Sequence, residues 1–515
     1  MRNVVIVGAG HNALVAACYL ARAGLDVEVI ERRQVVGGAV STVERFPGYH
    51  MDVGSSAHIM VRHTGIVEEL DLASYGLRYQ DLDPWGYAPF GEQAIALHID
   101  LDDACQSIAK VCGDADADAY HAFATAWSTY NLRVFAAFQR PPTARHLVRH
   151  LGAMGRGSPV PAAELGRQLL LSGDQLLDLH FRDERLKTAL AWMGAQSGPP
   201  THEPATAELV GWNMVMHRLP PGHPVGGSGM LSVALSRRFA ADGGTLRLGD
   251  GAVRIEADTT GARAVHTISG ARIPCRAVLA GCHILETLDL LDGDRLPDVE
   301  RTVQVGNGIG MVVRLGTTAL PQYPAAGGPE AWGGLQLLAP SRQALRAAWA
   351  DYLVGRPPAE PLALAMTFSA FDDTIAPPGK HNITIWGQWH AYELSNGEHW
   401  DDIAQREGNK LIAAVDRAAP GFADSVEHVH VQSPLDLERE LGLRRGNVMH
   451  LEMALAQMFA WRPTAQLSRY RTPVDGLYLT GASTHPGGGV FGASGRSAAN
   501  VLLADRRPRW RRAWR

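Results

Sequence analysis

The sequence predicts an α/β fold, in which buried parallel strands alternate with helices. The short continuous apolar run at residues 4–7 and the apolar residues at 27–30 and 477–479 are typical of buried strands. Glycine accounts for 55 of the 515 residues without any three-residue period, which indicates many tight turns and close backbone approaches. Hydrophobic residues make up 46% of the chain and charged residues 20%, so a disordered or collagen-like protein is excluded.

The charge and the cysteine content exclude several classes of protein. A net charge of −5 provides no overall basic field, so we expect no nucleic-acid partner. Five scattered cysteines without CxxC spacing predict neither a dithiol redox pair nor a cysteine-rich metal site, and no metal site is expected. We expect a cytoplasmic protein, because no apolar run approaches the ~18 residues of a membrane span and the first strand leaves no room for a leader.

Two basic segments each have two interpretations. Residues 506–515 contain six arginines, two tryptophans and no acid, and form a predicted basic tail. Residues 140–156 combine four arginines with two histidines. In the first interpretation both segments are solvated, the tail as a frayed terminus and residues 140–156 as an ordinary helix face. In the second, each segment is in peripheral contact with an anionic membrane surface.

The first strand leads into a dinucleotide-binding fingerprint. Gly8 permits a tight turn after the strand at residues 4–7, and Gly10 lets the backbone approach a diphosphate. Ala13 keeps the following helix close to the strand, and the start of that helix faces the phosphates. Glu31 ends the second strand, 23 residues after Gly8, where it can accept hydrogen bonds from a ribose and repel a 2′-phosphate.

A second close backbone approach follows at Gly37 and Gly38. The spacing of these glycines after Glu31 resembles the glutathione-reductase-type FAD proteins, whose N-terminal motif continues as E-x(5)-GG. Residues 52–54 (Asp-Val-Gly) resemble the D-x-G that returns the chain to the flavin in those proteins. The resemblance implies FAD as the cofactor, and a glutathione-reductase-type FAD-binding Rossmann-like domain with an inserted α+β substrate domain.

Another glycine-rich motif occupies residues 481–490, directly after the buried strand near residue 478. The pattern predicts a helix over residues 490–504, so the glycines precede its start. Unpaired backbone N–H groups and the positive end of the helix dipole then stabilise the negative charge that a flavin gains on reduction.

The remaining segments predict the substrate domain. Residues 120–200 have a helical pattern, and residues 300–440 alternate strand-like runs with polar loops and one long helix near 399–418. The aromatic and aliphatic residues near one face of the first helical stretch are Tyr120, Phe123, Trp127, Leu132 and Phe135. The predicted boundaries are FAD-binding parts at 1–75, 220–300 and 441–505, a mainly helical substrate part at 76–219, a sheet part at 301–440 and the tail at 506–515.

Residues 5–12, 446–453 and 481–490 together resemble the phytoene-desaturase-like (carotenoid oxidoreductase) flavoproteins. Within them, the chain is most similar to the pyridine nucleotide-disulfide oxidoreductase domain-containing subgroup. The resemblance implies hydride transfer from a mostly apolar small molecule to flavin N5. The chain departs from the wider superfamily in having Ala482 where many relatives have Asp, and it lacks the cysteine pair that disulfide chemistry requires.

The expected site residues follow from these motifs and from the resemblance, which also supplies Val253 as an adenine contact. The residues expected to bind FAD are Gly8, Gly10, His11, Asn12, Ala13, Glu31, Arg32, Gly37, Gly38, Ala39, Val253, Gly481, Ala482, Gly489 and Val490. No catalytic residue is assigned, but His485, His58 and His450 are candidates for a base or a substrate anchor, because histidine titrates near neutral pH.

Several functional alternatives stay open at the level of the sequence. Removing hydride from an amine C–N bond is the same flavin chemistry, and some carotenoid-isomerase relatives use reduced FAD without net oxidation. A non-catalytic binding protein on the same scaffold is a third alternative. Because no second GxGxxG follows in a βαβ setting, the expected electron acceptor is oxygen, a quinone or another acceptor. The oligomeric state is not predicted.

Overall fold

A computed structural model describes residues 1–152, 160–293, 295–296, 298–325 and 328–506. Its central feature is a five-stranded sheet in which every neighbouring pair is parallel. The strands in spatial order are Leu477–Leu479, Val278–Ala280, Val4–Val7, Val27–Glu31 and Thr245–Leu248. The strands come from three separated parts of the chain, and they confirm the predicted α/β class with a Rossmann-like domain.

The two faces of this sheet are covered differently. Val4 and Ile6 pack against three helices, and the alternate residues Val5 and Val7 pack against a three-stranded sheet. The helices are His11–Arg22, Met230–Ala241 and Ala493–Arg506, and the small sheet consists of Ala252–Asp258, Gly261–Thr267 and Arg272–Pro274. Both faces of the strand Val4–Val7 are therefore buried, as its continuous apolar sequence predicts.

A seven-stranded sheet forms the framework of the substrate domain. In spatial order its strands are Val426–Gln432, Gly310–Thr317, His381–Gln388, Ala363–Met366, Leu335–Leu338, Gly86–Phe90 and Gln93–Leu97. The last two strands come from the segment that is predicted to be mainly helical, and Gly86 pairs with Leu335 in parallel. The long helix Trp400–Ala418 packs on this sheet and agrees with the helix expected near 399–418.

Seven helices pack beside the edge of this sheet. They are Leu101–Cys112, Asp114–Phe138, Ala144–Leu151, Ala162–Gln168, Gly173–His180, Glu184–Ala195 and Ala207–Trp212. Of the predicted face, Tyr120, Phe123, Trp127 and Phe135 are buried and Leu132 is partly exposed. Among the described residues, no helix combines the length and the apolar character needed to cross a bilayer.

Shorter elements connect these layers. The remaining strands are Thr42–Phe46, Tyr49–Asp52, Tyr79–Asp81 and Gly222–Pro224, and the remaining helices are Ile66–Glu69, Ile284–Leu290, Val299–Thr302, Pro329–Trp332, Arg342–Leu353 and Pro434–Leu441. The predicted basic tail, beyond Arg506, and the end of the basic segment at Arg156 lie outside the described residues.

Candidate functional site

The turn after the first strand is shaped for a ligand. Gly8 has a φ of +90°, and its N–H donates a hydrogen bond of 2.8 Å to the carbonyl of Ile30. Gly10 precedes the helix His11–Arg22, and no described side chain caps the start of that helix. A Cβ on Gly10 would meet no atom within 4 Å, so this face of the turn is open. The free amides at the helix start therefore suit an anionic group.

Glu31 is tied to the same turn. Its buried carboxylate accepts hydrogen bonds from the backbone N–H groups of Ala9, at 2.8 Å, and Arg33, at 2.9 Å. The N–H of Gly37 donates to the carbonyl of Ala9 at 2.8 Å, and a Cβ on Gly38 would lie 3.6 Å from the Cα of Gly10. The fingerprint turn, the acid and the second glycine pair thus form one packed unit.

The last glycine-rich motif lies on the opposite side of the first strand. Leu477–Leu479 is separated from Val27–Glu31 by three strand spacings, roughly 14 Å. The helix predicted from residue 490 begins at Ala493, because Val490 has a φ of +56° and Gly492 a φ of +69°. Such left-handed backbone cannot belong to a right-handed helix. The glycines therefore form an extended loop along the sheet edge, ahead of the helix.

A cavity of about 280 Å³ runs across the carboxyl ends of the parallel strands, between the two glycine motifs. It is lined by the predicted residues Gly8, Gly10, His11, Asn12, Ala13, Glu31, Arg32, Gly37, Gly38, Ala39, Gly481, Ala482, Gly489 and Val490. Val253 does not line it, and its side chain is 52% exposed. Gly251 and Ala252 lie at the cavity wall instead, at the start of the same strand.

The lining fits a dinucleotide such as FAD. The side-chain oxygen of Asn12 is buried, with the residue 5% exposed, and has no hydrogen-bond partner among the described residues. A buried acceptor without a partner is costly unless a ligand supplies a donor. Together with the open face of Gly10 and the ribose acceptor Glu31, this orphan oxygen indicates where a ligand completes the structure.

Of the three candidate histidines, the structure brings only His450 to this cavity. Its backbone has a φ of +66°, its Nδ1 lies 3.1 Å from the hydroxyl of Ser483, and its ring stacks on His283 at 5.1 Å. Burial lowers the pKa of His450 well below its usual value, and the neighbouring His283 adds to this effect. The ring is therefore neutral at pH 7, and it is a weaker base than an exposed imidazole.

His58 and His485 are buried outside the cavity lining. Both ring nitrogens of His58 are engaged, at 2.8 Å from the hydroxyls of Tyr79 and Ser228. The Nε2 of His485 lies 3.3 Å from the carbonyl of Ala137, and burial lowers the pKa of His485 to about 3. No group of three or more described His, Cys, Asp or Glu side chains is arranged to hold a metal, and the five cysteines are free.

Aromatic rings surround His485. The ring centroid of Phe138 lies 5.2 Å from that of Phe459, 5.4 Å from that of Phe491 and 5.7 Å from that of Trp212. The imidazole of His485 contacts two of these rings, Phe138 and Phe459. Phe491 directly follows Val490 of the cavity wall, and its ring lies 3.3 Å from the position of a Cβ on Gly489. This aromatic cluster (Phe138, Trp212, Phe459 and Phe491) therefore packs next to the cavity wall, although none of its members lines the cavity.

Two groups of residues at the site were not predicted from the sequence. Cys282 and His283 line the cavity because they follow Val278–Ala280, a strand next to the first strand. Their position was available from the rule that ligands bind at the carboxyl ends of parallel strands. Arg462 hydrogen-bonds to the cavity wall from behind and belongs to no motif that marks a binding site.

Comparisons with known proteins agree with this geometry. The model of the NAD(P)-binding Rossmann-like domain matches residues 6–70. The chain is 30% identical to pyridine nucleotide-disulfide oxidoreductase domain-containing protein 2 of Mus musculus, over 98% of this chain and 93% of that protein. It is 27% identical to a phytoene dehydrogenase of Streptomyces griseus, over 98% and 96% of the two chains. Cyclohexylamine oxidase from Brevibacterium oxydans shares the fold with a TM-score of 0.58 and 16% identity, over 98% and 99% of the chains.

Proposed function

The chain belongs to the family of the pyridine nucleotide-disulfide oxidoreductase domain-containing proteins and is an FAD-dependent oxidoreductase, and we propose that it dehydrogenates a mostly apolar small molecule. When bound, FAD supplies the acceptor for a hydride, at flavin N5. The protein contributes the cavity that binds and orients the cofactor, an apolar surface that excludes water, and a neutral imidazole at the cavity wall. His450 is the residue we assign to proton acceptance.

The position of the aromatic cluster next to the cavity wall at Gly489 carries this proposal. Glu31 and the helix start would hold the adenosine and diphosphate end of a dinucleotide, and residues 481–490 would hold its opposite end. Phe491 follows that wall and contacts Phe138. Four aromatic rings beside the reactive end of the cofactor provide an apolar environment, which favours an apolar substrate over a charged one.

We also propose that electrons leave to oxygen, a quinone or another acceptor rather than to a nicotinamide nucleotide. The sequence contains one βαβ dinucleotide fingerprint, and Glu31 and the helix His11–Arg22 of that fingerprint line the cavity assigned to FAD. A second nucleotide would need a further glycine turn and helix start of the same kind.

The proposal is tested by anaerobic reduction of the flavin. The purified holoenzyme is mixed without oxygen with a panel of polyenes and cyclic terpenes, and the flavin absorbance is followed by stopped flow. We expect at least one alkene to bleach the flavin, and the product to contain one more double bond. A flavin that is reduced by NADH or NADPH, and by no member of the panel, would contradict the proposal.

One observation favours a second candidate, an amine substrate. A carboxylate oxygen of Glu208 is buried without a hydrogen-bond partner among the described residues, and burial raises the pKa of this carboxyl. Glu208 and Trp212 belong to the same helix, Ala207–Trp212, and Trp212 packs against Phe138. A cationic amine would compensate the buried carboxylate. Bleaching by primary amines that is weakened in Glu208→Gln would support this candidate, and bleaching by alkenes alone would exclude it.

We further propose that the protein is cytoplasmic and contacts a membrane surface through the helix Ala144–Leu151. This helix carries two arginines and two histidines and no acid, and Val148 is 70% exposed. Basic side chains beside an exposed apolar side chain suit the headgroup region of an anionic bilayer. His146 of this helix lies 3.1 Å from the carbonyl of Ala137, next to the aromatic cluster, which would bring an apolar substrate from the bilayer close to the site.

A further inference from the structure

Arg462 is a fully buried guanidinium whose partners are all neutral. It donates hydrogen bonds only to backbone carbonyl oxygens, those of Met449, Leu451, Glu452, Gln457 and Ala482, at 2.7–3.3 Å. Burial lowers the pKa of this guanidinium to about 9, and no described carboxylate offsets the effect. Arg462 is therefore positively charged at pH 7 and holds its charge without a counterion from the described chain.

The guanidinium lies directly behind the wall of the FAD cavity. Two of the residues whose carbonyl oxygens accept its hydrogen bonds, Met449 and Ala482, line the cavity. A Cβ on Gly487 of the same wall would lie 3.2 Å from Nε of Arg462. The charge therefore lies next to the backbone of the cavity wall, at the end of the cavity that is opposite to Glu31.

A second buried arginine provides a comparison. Arg314 is also fully buried, donates to the carbonyls of Asp52 and Val53 and to the side chain of Gln432, and has its pKa lowered by burial to about 9. The neighbouring Arg45 lowers the pKa of Arg314 as well, and the carboxylates of Asp52 and Glu440 raise it. Carboxylates of the chain therefore act on Arg314, whereas no described carboxylate acts on Arg462.

A buried charge without a counterion is costly, and such groups persist where a ligand charge compensates them. Two-electron reduction adds negative charge to the flavin ring, in a cavity where the low polarity of the surroundings strengthens electrostatic interactions. We propose that Arg462 is a positioning residue whose uncompensated charge stabilises reduced, anionic FAD over oxidised FAD. This inference rests on FAD binding and does not depend on the identity of the substrate.

The test is the midpoint potential of the bound flavin, measured by anaerobic equilibration with reference dyes and without substrate. In Arg462→Met we expect the ratio of reduced to oxidised FAD at a given potential to fall about tenfold, which equals about 30 mV for a two-electron couple. Arg462→Lys keeps the charge and loses the fork of hydrogen bonds, so its potential should stay close to that of the wild type. Arg314→Met removes a buried charge that has carboxylates nearby, and it should lose stability with a smaller change in potential than Arg462→Met.

Equal shifts of the midpoint potential in the Lys and Met variants would overturn the inference, as would an unchanged potential in a Met variant that retains FAD. Arg462 would then have only a structural role. If the variants do not fold, the inference is tested by the pH dependence of the midpoint potential of the wild type. At a pH where free FAD takes up two protons with two electrons, the pH dependence of the wild-type potential should indicate one proton. An uptake of two protons would equally overturn the inference. A substrate other than the proposed one leaves these results unchanged, whereas a protein that binds no FAD refutes both proposals.

Discussion

The backbone N–H of Ala9 donates a hydrogen bond of 2.8 Å to the carboxylate of Glu31, across 22 residues of sequence. The acid at the end of the second strand is thereby held against the glycine turn that follows the first strand. This contact brings the predicted ribose acceptor and the predicted diphosphate-binding turn to the same edge of the sheet.

Replacing this acid should abolish FAD retention. In Glu31→Arg a cation replaces the carboxylate that accepts the Ala9 and Arg33 N–H groups and is expected to accept from the ribose. We therefore expect the variant to lose FAD and to be colourless after gel filtration. Glu28 of the same strand is a matched control, because it is equally buried but pairs with Arg2 and Arg247, away from the cavity. Glu28→Gln should lose stability and keep its FAD. A normal flavin content in Glu31→Arg would refute the assigned fingerprint.

A single methyl group at Gly10 should weaken FAD binding without unfolding the protein. The backbone of Gly10 suits any residue, and its Cβ would project into open cavity space. We expect Gly10→Ala to raise the dissociation constant for FAD at least tenfold while costing the FAD-free protein about 1 kcal/mol or less in unfolding free energy. Gly166→Ala, in the helix Ala162–Gln168 and also without close neighbours, should bind FAD normally. Equal FAD affinities in the two variants would contradict the placement of the cofactor.

Proton acceptance by His450 predicts a specific kinetic defect. We expect His450→Asn to keep FAD and to slow its anaerobic reduction by substrate at least tenfold, since general bases contribute ~10²–10⁴-fold. Asparagine is chosen because it tolerates the left-handed backbone at this position. His485→Phe, which replaces one ring by another within the aromatic cluster, should reduce at a rate within about twofold of the wild type. The opposite pattern would assign the proton transfer to His485.

Buried neutral histidines should make the protein acid-sensitive. Burial lowers the pKa of His485 to about 3 and that of His390 to about 4, from an ordinary value of 6.5. Between these values and pH 6.5 the unfolded chain binds protons that the folded chain does not, so the free energy of unfolding falls as the pH decreases. Each histidine contributes up to about 1.4 kcal/mol per pH unit in this window. The free energy of unfolding, measured with urea from pH 7 to pH 4, should decline less in His485→Phe than in the wild type. Equal declines would contradict the lowered pKa of His485.

The proposed membrane contact predicts a selective loss of vesicle binding. We expect the wild type to sediment with vesicles that contain phosphatidylglycerol, and Val148→Glu to remain in the supernatant. Leu353→Glu is the control, because Leu353 is 63% exposed at the end of another helix, Arg342–Leu353. Equal binding by both variants, or no binding by the wild type, would refute a contact through Ala144–Leu151.

Most of the cavity lining could be predicted from local sequence alone. Gly8, Gly10 and Glu31 lie within one βαβ unit, and their roles depend on local backbone conformation and a short apolar strand. For the same reason nearly every predicted FAD contact lines the cavity, and Val253 misses it only by the offset of one or two residues at a strand start.

Which candidate histidine meets the cavity, and which strands complete the seven-stranded sheet, follows from tertiary contacts alone. The sequence around His58, His450 and His485 does not show which of them lines the cavity, because this depends on residues from distant segments, such as His283 or Phe138. Gly86 pairs with Leu335 and Arg462 reaches Ala482 through contacts that have no periodic signature along the chain. Burial and pairing between remote segments depend on the complete packing, and therefore a pattern read along the sequence cannot specify them.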